Sequence, residues 1–132
     1  MKFDFAKARK SMVDNQIHPF NVTDPDLLEV FGTIPREDFM PEDLRPSAYI
    51  DEDQTFGPLD RVMLAPAVHA RLIQAARQTV TDRDPAVLDI GGGYGYNARI
   101  WQALGADVTF VDNQAYADLA EMRLGEEEHI NI

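Results

Sequence analysis

Apolar residues recur at three- and four-residue spacing from Phe5 to Ile17, with Ala6, Ala8, Met12, Val13 and Ile17 on or near one face. That spacing predicts an amphipathic helix, which His18 and Pro19 end because a residue before proline is pushed out of the helical region. Thr23 is read as the cap of the next helix, with Pro25 near its first turn, Leu28, Val30 and Phe31 as its apolar positions, and Gly32 as its stop. From Pro35 to Pro58 the chain carries Pro35, Pro41, Pro46 and Pro58 among many acids, a pattern of irregular structure wrapped over a core. Arg61 to Leu64 has the character of a short strand. Pro66 then opens a helix running to about Gln78, with Val68, Leu72, Ile73 and Ala76 expected to point inward. A polar bend, Thr79 to Pro85, separates this arm from the rest of the chain.

The pattern changes at Ala86. Val87, Leu88 and Ile90 form a short apolar run of the kind that a parallel sheet buries on both faces. Gly91, Gly92, Gly93 and Gly95 come next, then a helical stretch from Tyr96 to Leu104, Gly105, and a second strand run from Asp107 to Val111 that ends at Asp112. Strand, glycine turn, helix and strand make a βαβ unit, expected to be right-handed. The glycine turn admits a ligand against the backbone, and the adjoining helix turns its unpaired amides toward it. A carboxylate at the end of the second strand is placed to accept bonds from both hydroxyls of a ribose. The chemistry implied is therefore that of a nucleotide-like ligand.

Glycine spacing narrows that ligand. A dinucleotide fingerprint needs Gly or Ala three residues after its second glycine, and here Tyr96 holds that position. Gly91, Gly93 and Gly95 alternate instead, preceded by the acidic Asp89, and this resembles the loop of S-adenosylmethionine-dependent methyltransferases. The candidate cofactor-binding residues are Asp89, Gly91, Gly93, Gly95 and Asp112, and the implied cofactor is S-adenosylmethionine.

Composition removes other classes. The net charge is -11, from 23 acidic and 12 basic residues, so the surface repels nucleic acid and anionic membranes. Without cysteine there is no disulfide framework, no thiolate nucleophile and no cysteine-based metal site. His18, His69 and His129 have no second ligand at metal spacing, so no metal is expected. No stretch approaches the roughly 18 apolar residues of a membrane span, and MKFDFAKARKSMVDNQ lacks the apolar core of a secretory signal. A cytoplasmic location is expected.

The remaining motifs point to one family. ARKSMVDNQI from Ala8 to Ile17, VTDPDLLEVFGTIPREDFMP from Val22 to Pro41, AYIDED from Ala48 to Asp53 and APAVHARL from Ala65 to Leu72 all precede the glycine loop. Together they resemble the N-terminal region of protein-L-isoaspartate O-methyltransferases. Met12, Val13 and Gln16 match the family's opening helix, and Pro35, Arg36, Glu37 and Phe39 its next block. The resemblance implies an α/β class I methyltransferase fold, Rossmann-like and three-layered, with an N-terminal helical arm and an incomplete parallel sheet. It implies methyl transfer from S-adenosylmethionine to the free carboxylate of an isoaspartyl residue, as protein repair. One domain is expected over 1–132, with 1–84 as arm and cap and 85–132 as the first half of the cofactor-binding core.

Two departures shape the functional expectation. Leu64 stands where the resemblance has a hydroxyl residue, usually Ser, beside the site of methyl transfer, so Val62, Met63 and Leu64 make an apolar approach to Ala65 and Pro66. The sheet elements that come after the second strand in the family are also expected to be missing, HINI at His129 to Ile132 being the start of a third strand. The strand Ala86 to Ile90 would then have an open edge, which invites pairing. The expectation is weak or no methyl transfer by this chain alone and association with a protein partner or with itself. The alternatives are a piece of an active repair enzyme and a dimeric S-adenosylmethionine sensor. His69 is expected to be a structural histidine, Asp51, Glu52 and Asp53 a solvated loop, Glu126 to Glu128 a solvated turn, Tyr96 a residue packed beneath the loop, and Tyr94 a residue crowding the pocket.

Overall fold

A computed structural model describes residues 2–132. The arm begins with α1 (Phe5–Met12), capped by the Asp4 carboxylate, which accepts the Lys7 N–H at 3.0 Å. The expected single helix to Ile17 does continue, but Val13–Ile17 forms a wider π turn, closed by the His18 N–H on the Val13 carbonyl. Met12 and Ile17 are five residues apart, out of phase on an α-helix and nearly in phase where bonds run i→i+5. The wider turn puts both into the core, fully buried. Ala6, expected inward, is exposed.

Helix α2 (Pro25–Thr33) is capped by Asp24, not Thr23; the Asp24 carboxylate accepts the N–H groups of Asp26 and Leu27. Thr23 lies one position too early, and its N–H donates to the Gln74 side chain. Gly32 does not stop the helix, which ends at Thr33 before extended Ile34. The segment 35–58 is more regular than its prolines suggest, with 3-10 turns at Arg36–Phe39 and Glu42–Ser47. Strand β1 (Gln54–Phe56) then pairs antiparallel with β2 (Arg61–Met63).

Helix α3 spans Pro66–Gln78, the range its sequence punctuation predicts, but its orientation is different. Ala67, His69, Ala70 and Ile73 are buried, whereas Val68, Leu72 and Ala76, expected inward, are exposed. The face that docks on α2 is thus rotated toward the small residues. Leu72 and Ala76 line a cleft.

The second half is a parallel sheet in the order β3 (Ala86–Ile90), β4 (Asp107–Val111), β5 (Ile130–Asn131), with α4 (Tyr96–Ala103) and α5 (Gln114–Leu124) as crossovers. Register runs from Ala86 opposite Asp107 to Ile90 opposite Val111. Val108, Phe110 and Asp89 face the helices and are buried. The expectation that β3 is buried on both faces is not met: Leu88 is 60 % exposed, Ile90 73 % and Val111 46 %. Only one face of the sheet is covered by helices, so the alternate side chains of β3 and β4 meet solvent, as period two requires.

Arm and sheet meet at Tyr96, the first residue of α4, whose buried ring packs against Phe31, Phe39 and His69. Around it lies a network of buried polar groups. The Tyr49 hydroxyl accepts from Arg9 Nε at 2.8 Å and the Arg36 N–H at 3.0 Å and donates to Glu37, while Arg9 Nη2 bonds Glu37 at 3.0 Å. Among the described residues no helix is long and apolar enough to cross a membrane, and no three His, Cys, Asp or Glu side chains gather at one point.

Candidate functional site

A cleft of about 370 Å³ opens between the glycine loop, α3 and β2. Asp89 and Gly91 to Gly93 form its floor, His69, Asn97 and Trp101 are deeper members, and Val62, Leu64 and Leu72 make an apolar wall. The loop is held at both ends. Gly91 N–H donates to the Val111 carbonyl at 2.7 Å, and Gly95 N–H to the Gly92 carbonyl at 3.2 Å.

Asp112 is tied directly to the loop. Its Oδ2 accepts the Gly93 N–H at 3.0 Å and its Oδ1 the Asn113 N–H at 2.7 Å, and the side chain is 1 % exposed. Arg61 from β2 approaches the same carboxylate with both terminal nitrogens, at 2.7 and 2.6 Å. Burial alone would raise the Asp112 pKa, but the hydrogen bonds from Arg61, Gly93 and Asn113 outweigh it and hold the group below the ordinary carboxylate range. Arg61 is absent from the residues that the sequence singles out for this site. No local signal marks it, because its partner lies far along the chain.

Asp89 sits beneath the loop and is largely buried, with Oδ2 lacking any partner. Burial raises its pKa, the Asn97 amide lowers it, and the Asp112 charge raises it. Asn97 Oδ1 in turn meets His69 Nε2 at 2.7 Å. A buried acceptor without a donor favours a cationic or hydrogen-bonding group nearby, and the loop backbone is open to a ligand at Gly93, where an added Cβ would meet nothing within 4 Å. The loop at Gly93 and the unpaired Asp89 oxygen are thus the parts of the cleft left open to a ligand, whereas the Asp112 carboxylate is engaged by Arg61, Gly93 and Asn113.

The glycines divide the labour. Gly95 has φ +99°, and a Cβ there would lie 2.5 Å from Leu124 Cδ1 and 3.0 Å from Cγ, in a side chain packed in the core. Gly95→Ala adds this overpacking to the left-handed strain and is expected to destabilise the fold by about 3–4 kcal/mol. Gly93→Ala meets only the strain of φ +63°, about 1–2 kcal/mol, and should act chiefly on ligand binding. Thermal unfolding and cofactor titration of the two variants separate these effects; equal losses of stability would contradict the division.

The acidic stretch ahead of α3 is solvated at all three positions, and one of them also has a structural bond. Asp53 Oδ1 accepts the Ala65 N–H at 2.7 Å and so fixes the entry to α3, and Asp51 and Glu52 are exposed. Leu64 lines the cleft, and its carbonyl accepts from Arg36 Nη2 at 2.9 Å. Tyr94 also lines the cleft, but its ring packs on Phe56 and Tyr116 beneath the Arg123 guanidinium.

Residues 7–123 match the family model of protein-L-isoaspartate(D-aspartate) O-methyltransferase. The chain belongs to the protein-L-isoaspartate O-methyltransferase family. A relative of that name from Koribacter versatilis is 34% identical over 129 residues, covering 97% of this chain and 56% of its own length. Another from Protochlamydia amoebophila is 36% identical over 128 residues, covering 92% of this chain and 56% of its length. The chain spans about half the length of these relatives. Among solved structures, a putative protein-L-isoaspartate O-methyltransferase from Plasmodium falciparum, in complex with S-adenosyl-L-homocysteine, superposes with a TM-score of 0.71 at 16% identity, covering 91% of this chain and 56% of that one. A second structure, of a protein-L-isoaspartate O-methyltransferase, gives 0.70 at 23% identity, covering 96% and 40%. These two establish the isoaspartyl methyltransferase fold, with the sheet incomplete here.

Proposed function

We propose that this chain is the cofactor-binding half of a protein-L-isoaspartate O-methyltransferase, which holds S-adenosylmethionine on the loop Gly91 to Gly95 and Asp112 and needs a second protein surface for methyl transfer. The observation that carries this reading is the bond from the Gly93 N–H to the Asp112 carboxylate, which joins the loop to the ribose acceptor in one rigid unit. When bound, the cofactor supplies a methyl group on a good leaving group. A carboxylate nucleophile needs no general base, so alignment supplies most of the acceleration. Alignment is what the chain alone lacks. Its cleft is walled by Leu64 and Val62 on one side, and the sheet beside it is bare.

The surface in this reading is one carrying strands and helices equivalent to the second half of the family's chain, or that of a second copy of this chain. Edge strand β3 offers it unpaired backbone groups, and Leu88, Ile90 and Val111 offer an apolar face. Covering each of these side chains contributes up to about 1.5–3 kcal/mol.

Calorimetric titration with S-adenosylhomocysteine tests the cofactor half. Binding by the wild-type chain, weakened at least ten-fold by Asp112→Ala, is the expected result. An isoaspartyl peptide assay should give only background methylation by the chain alone. Light scattering should show association at micromolar concentration. Robust methylation by the isolated chain contradicts the need for a second surface, and a stable dispersed monomer contradicts self-association as its source.

A further inference from the structure

We infer that Arg61 is an internal competitor for the cofactor's ribose, closing the Asp112 subsite when no ligand is present and leaving it when one binds. This rests on the assignment of the glycine loop as an S-adenosylmethionine site.

An ionised carboxylate offers about four lone-pair positions. On Asp112 two are filled by backbone, the Gly93 N–H on Oδ2 and the Asn113 N–H on Oδ1. The other two are filled by Arg61, with Nη1 on Oδ2 at 2.7 Å and Nη2 on Oδ1 at 2.6 Å. A ribose diol and a guanidinium are both two-point donors, and the positions left for a diol are the two that Arg61 holds. Occupancy by one therefore excludes the other. The backbone bonds orient the carboxylate in either state.

The placement of Arg61 over the loop agrees with this role. A Cβ on Gly91 would lie 3.2 Å from Arg61 Nη1, so the guanidinium lies over the loop at the ribose end. Its carbon sits 4.6 Å from the centre of the Tyr116 ring, which supports it from below. The arginine side chain is 35 % exposed against 1 % for Asp112, so it can swing to solvent while the carboxylate stays. Strand β2 is anchored independently by the Tyr116 hydroxyl, which accepts the Leu59 N–H at 2.9 Å and the Arg61 N–H at 3.3 Å. Displacing the side chain therefore leaves the hairpin in place.

The test is the affinity of the purified chain for S-adenosylhomocysteine, by calorimetry, in wild type, Arg61→Gln and Arg61→Lys. An ion pair open to solvent on its arginine side sets the scale of the gain, so Arg61→Gln should bind about five-fold tighter, with Arg61→Lys in between because an ammonium makes a single-point contact. The gain should appear with adenosine and vanish with 2′,3′-dideoxyadenosine, which lacks the diol. Equal affinities in wild type and Arg61→Gln overturn the competition while leaving the cofactor site standing. A gain that persists with the dideoxy ligand also overturns it, since relief would then be unrelated to the diol. No binding by any of the three proteins overturns both the competition and the cofactor assignment.

Discussion

Arg36→Ala is expected to lower the stability of the chain by about 3–5 kcal/mol, read as a fall in the urea midpoint. The Arg36 side chain is fully buried between arm and sheet. Its Nε donates to the Ala48 carbonyl at 2.6 Å and its Nη2 to the Leu64 carbonyl at 2.9 Å, and its guanidinium lies over the Tyr96 ring at 5.2 Å. Truncation leaves two interior carbonyls without donors, at about 1–3 kcal/mol each, and opens a cavity as well. A domain of this size has roughly 5–15 kcal/mol in total, so the loss removes a large share of the margin. Lysine should not rescue it, because an ammonium cannot reproduce the planar fork that meets two carbonyls and an aromatic face. The consequence reaches the site, since the Leu64 carbonyl belongs to the segment that walls the cleft. A loss under about 1 kcal/mol would show that arm and sheet are held together by apolar packing alone.

The second large effect is with pH. His69 is buried against the edges of Phe31 and Tyr96. Burial lowers its pKa to about 4, the Asn97 bond opposes that, and the Arg36 charge adds to the lowering. Above the unfolded value near 6.5 the imidazole is neutral in both states and its contribution to stability is complete. As pH falls below 6.5 the unfolded chain takes up a proton that the folded chain refuses until about pH 4. Stability should therefore decline across that window by up to about 3 kcal/mol. Asp112, held low, adds a further loss below the ordinary carboxylate pKa, as the folded group is protonated. Asp89 acts the other way, because its raised pKa favours proton uptake by the fold. Comparison of wild type with His69→Gln cancels both carboxylate contributions. The glutamine variant should lose the slope between pH 6.5 and 4, and parallel profiles would contradict a neutral buried His69.

Local features of the chain are legible in its sequence. Ala86–Ile90, Asp107–Val111 and Pro66–Gln78 have the bounds that proline, glycine and apolar runs set for them. The βαβ unit brings Asp89, the glycines and Asp112 to one place for the same reason. Orientation is harder to read. Val68, Leu72 and Ala76 have the spacing of a core face, yet small Ala67 and Ala70 are the buried ones, and Leu72 and Ala76 are left at the cleft with Val68 exposed. The exposure of Leu88 and Ile90 is equally hidden, because an apolar strand does not say which side of its sheet is covered. Long-range polar partners lie beyond local reading. Arg36 and Glu37 look like surface charges in a charged stretch, and only distant partners make them interior, the Ala48 and Leu64 carbonyls for Arg36 and Tyr49 and Arg9 for Glu37. Arg61 likewise acquires its role from Asp112, on the opposite half of the chain.

The proposed function stands on an adenosyl cofactor site formed within this chain by the loop Gly91 to Gly95 and Asp112. Amide chemical shifts of the labelled protein, tracked during addition of S-adenosylhomocysteine, test that site residue by residue. The expected result is saturable movement of the Gly91, Gly92, Gly93 and Asn113 amides, with Leu88 and Thr109 on the bare sheet face unmoved. Absence of shifts at millimolar ligand, or shifts that cluster away from the glycine loop, would contradict it.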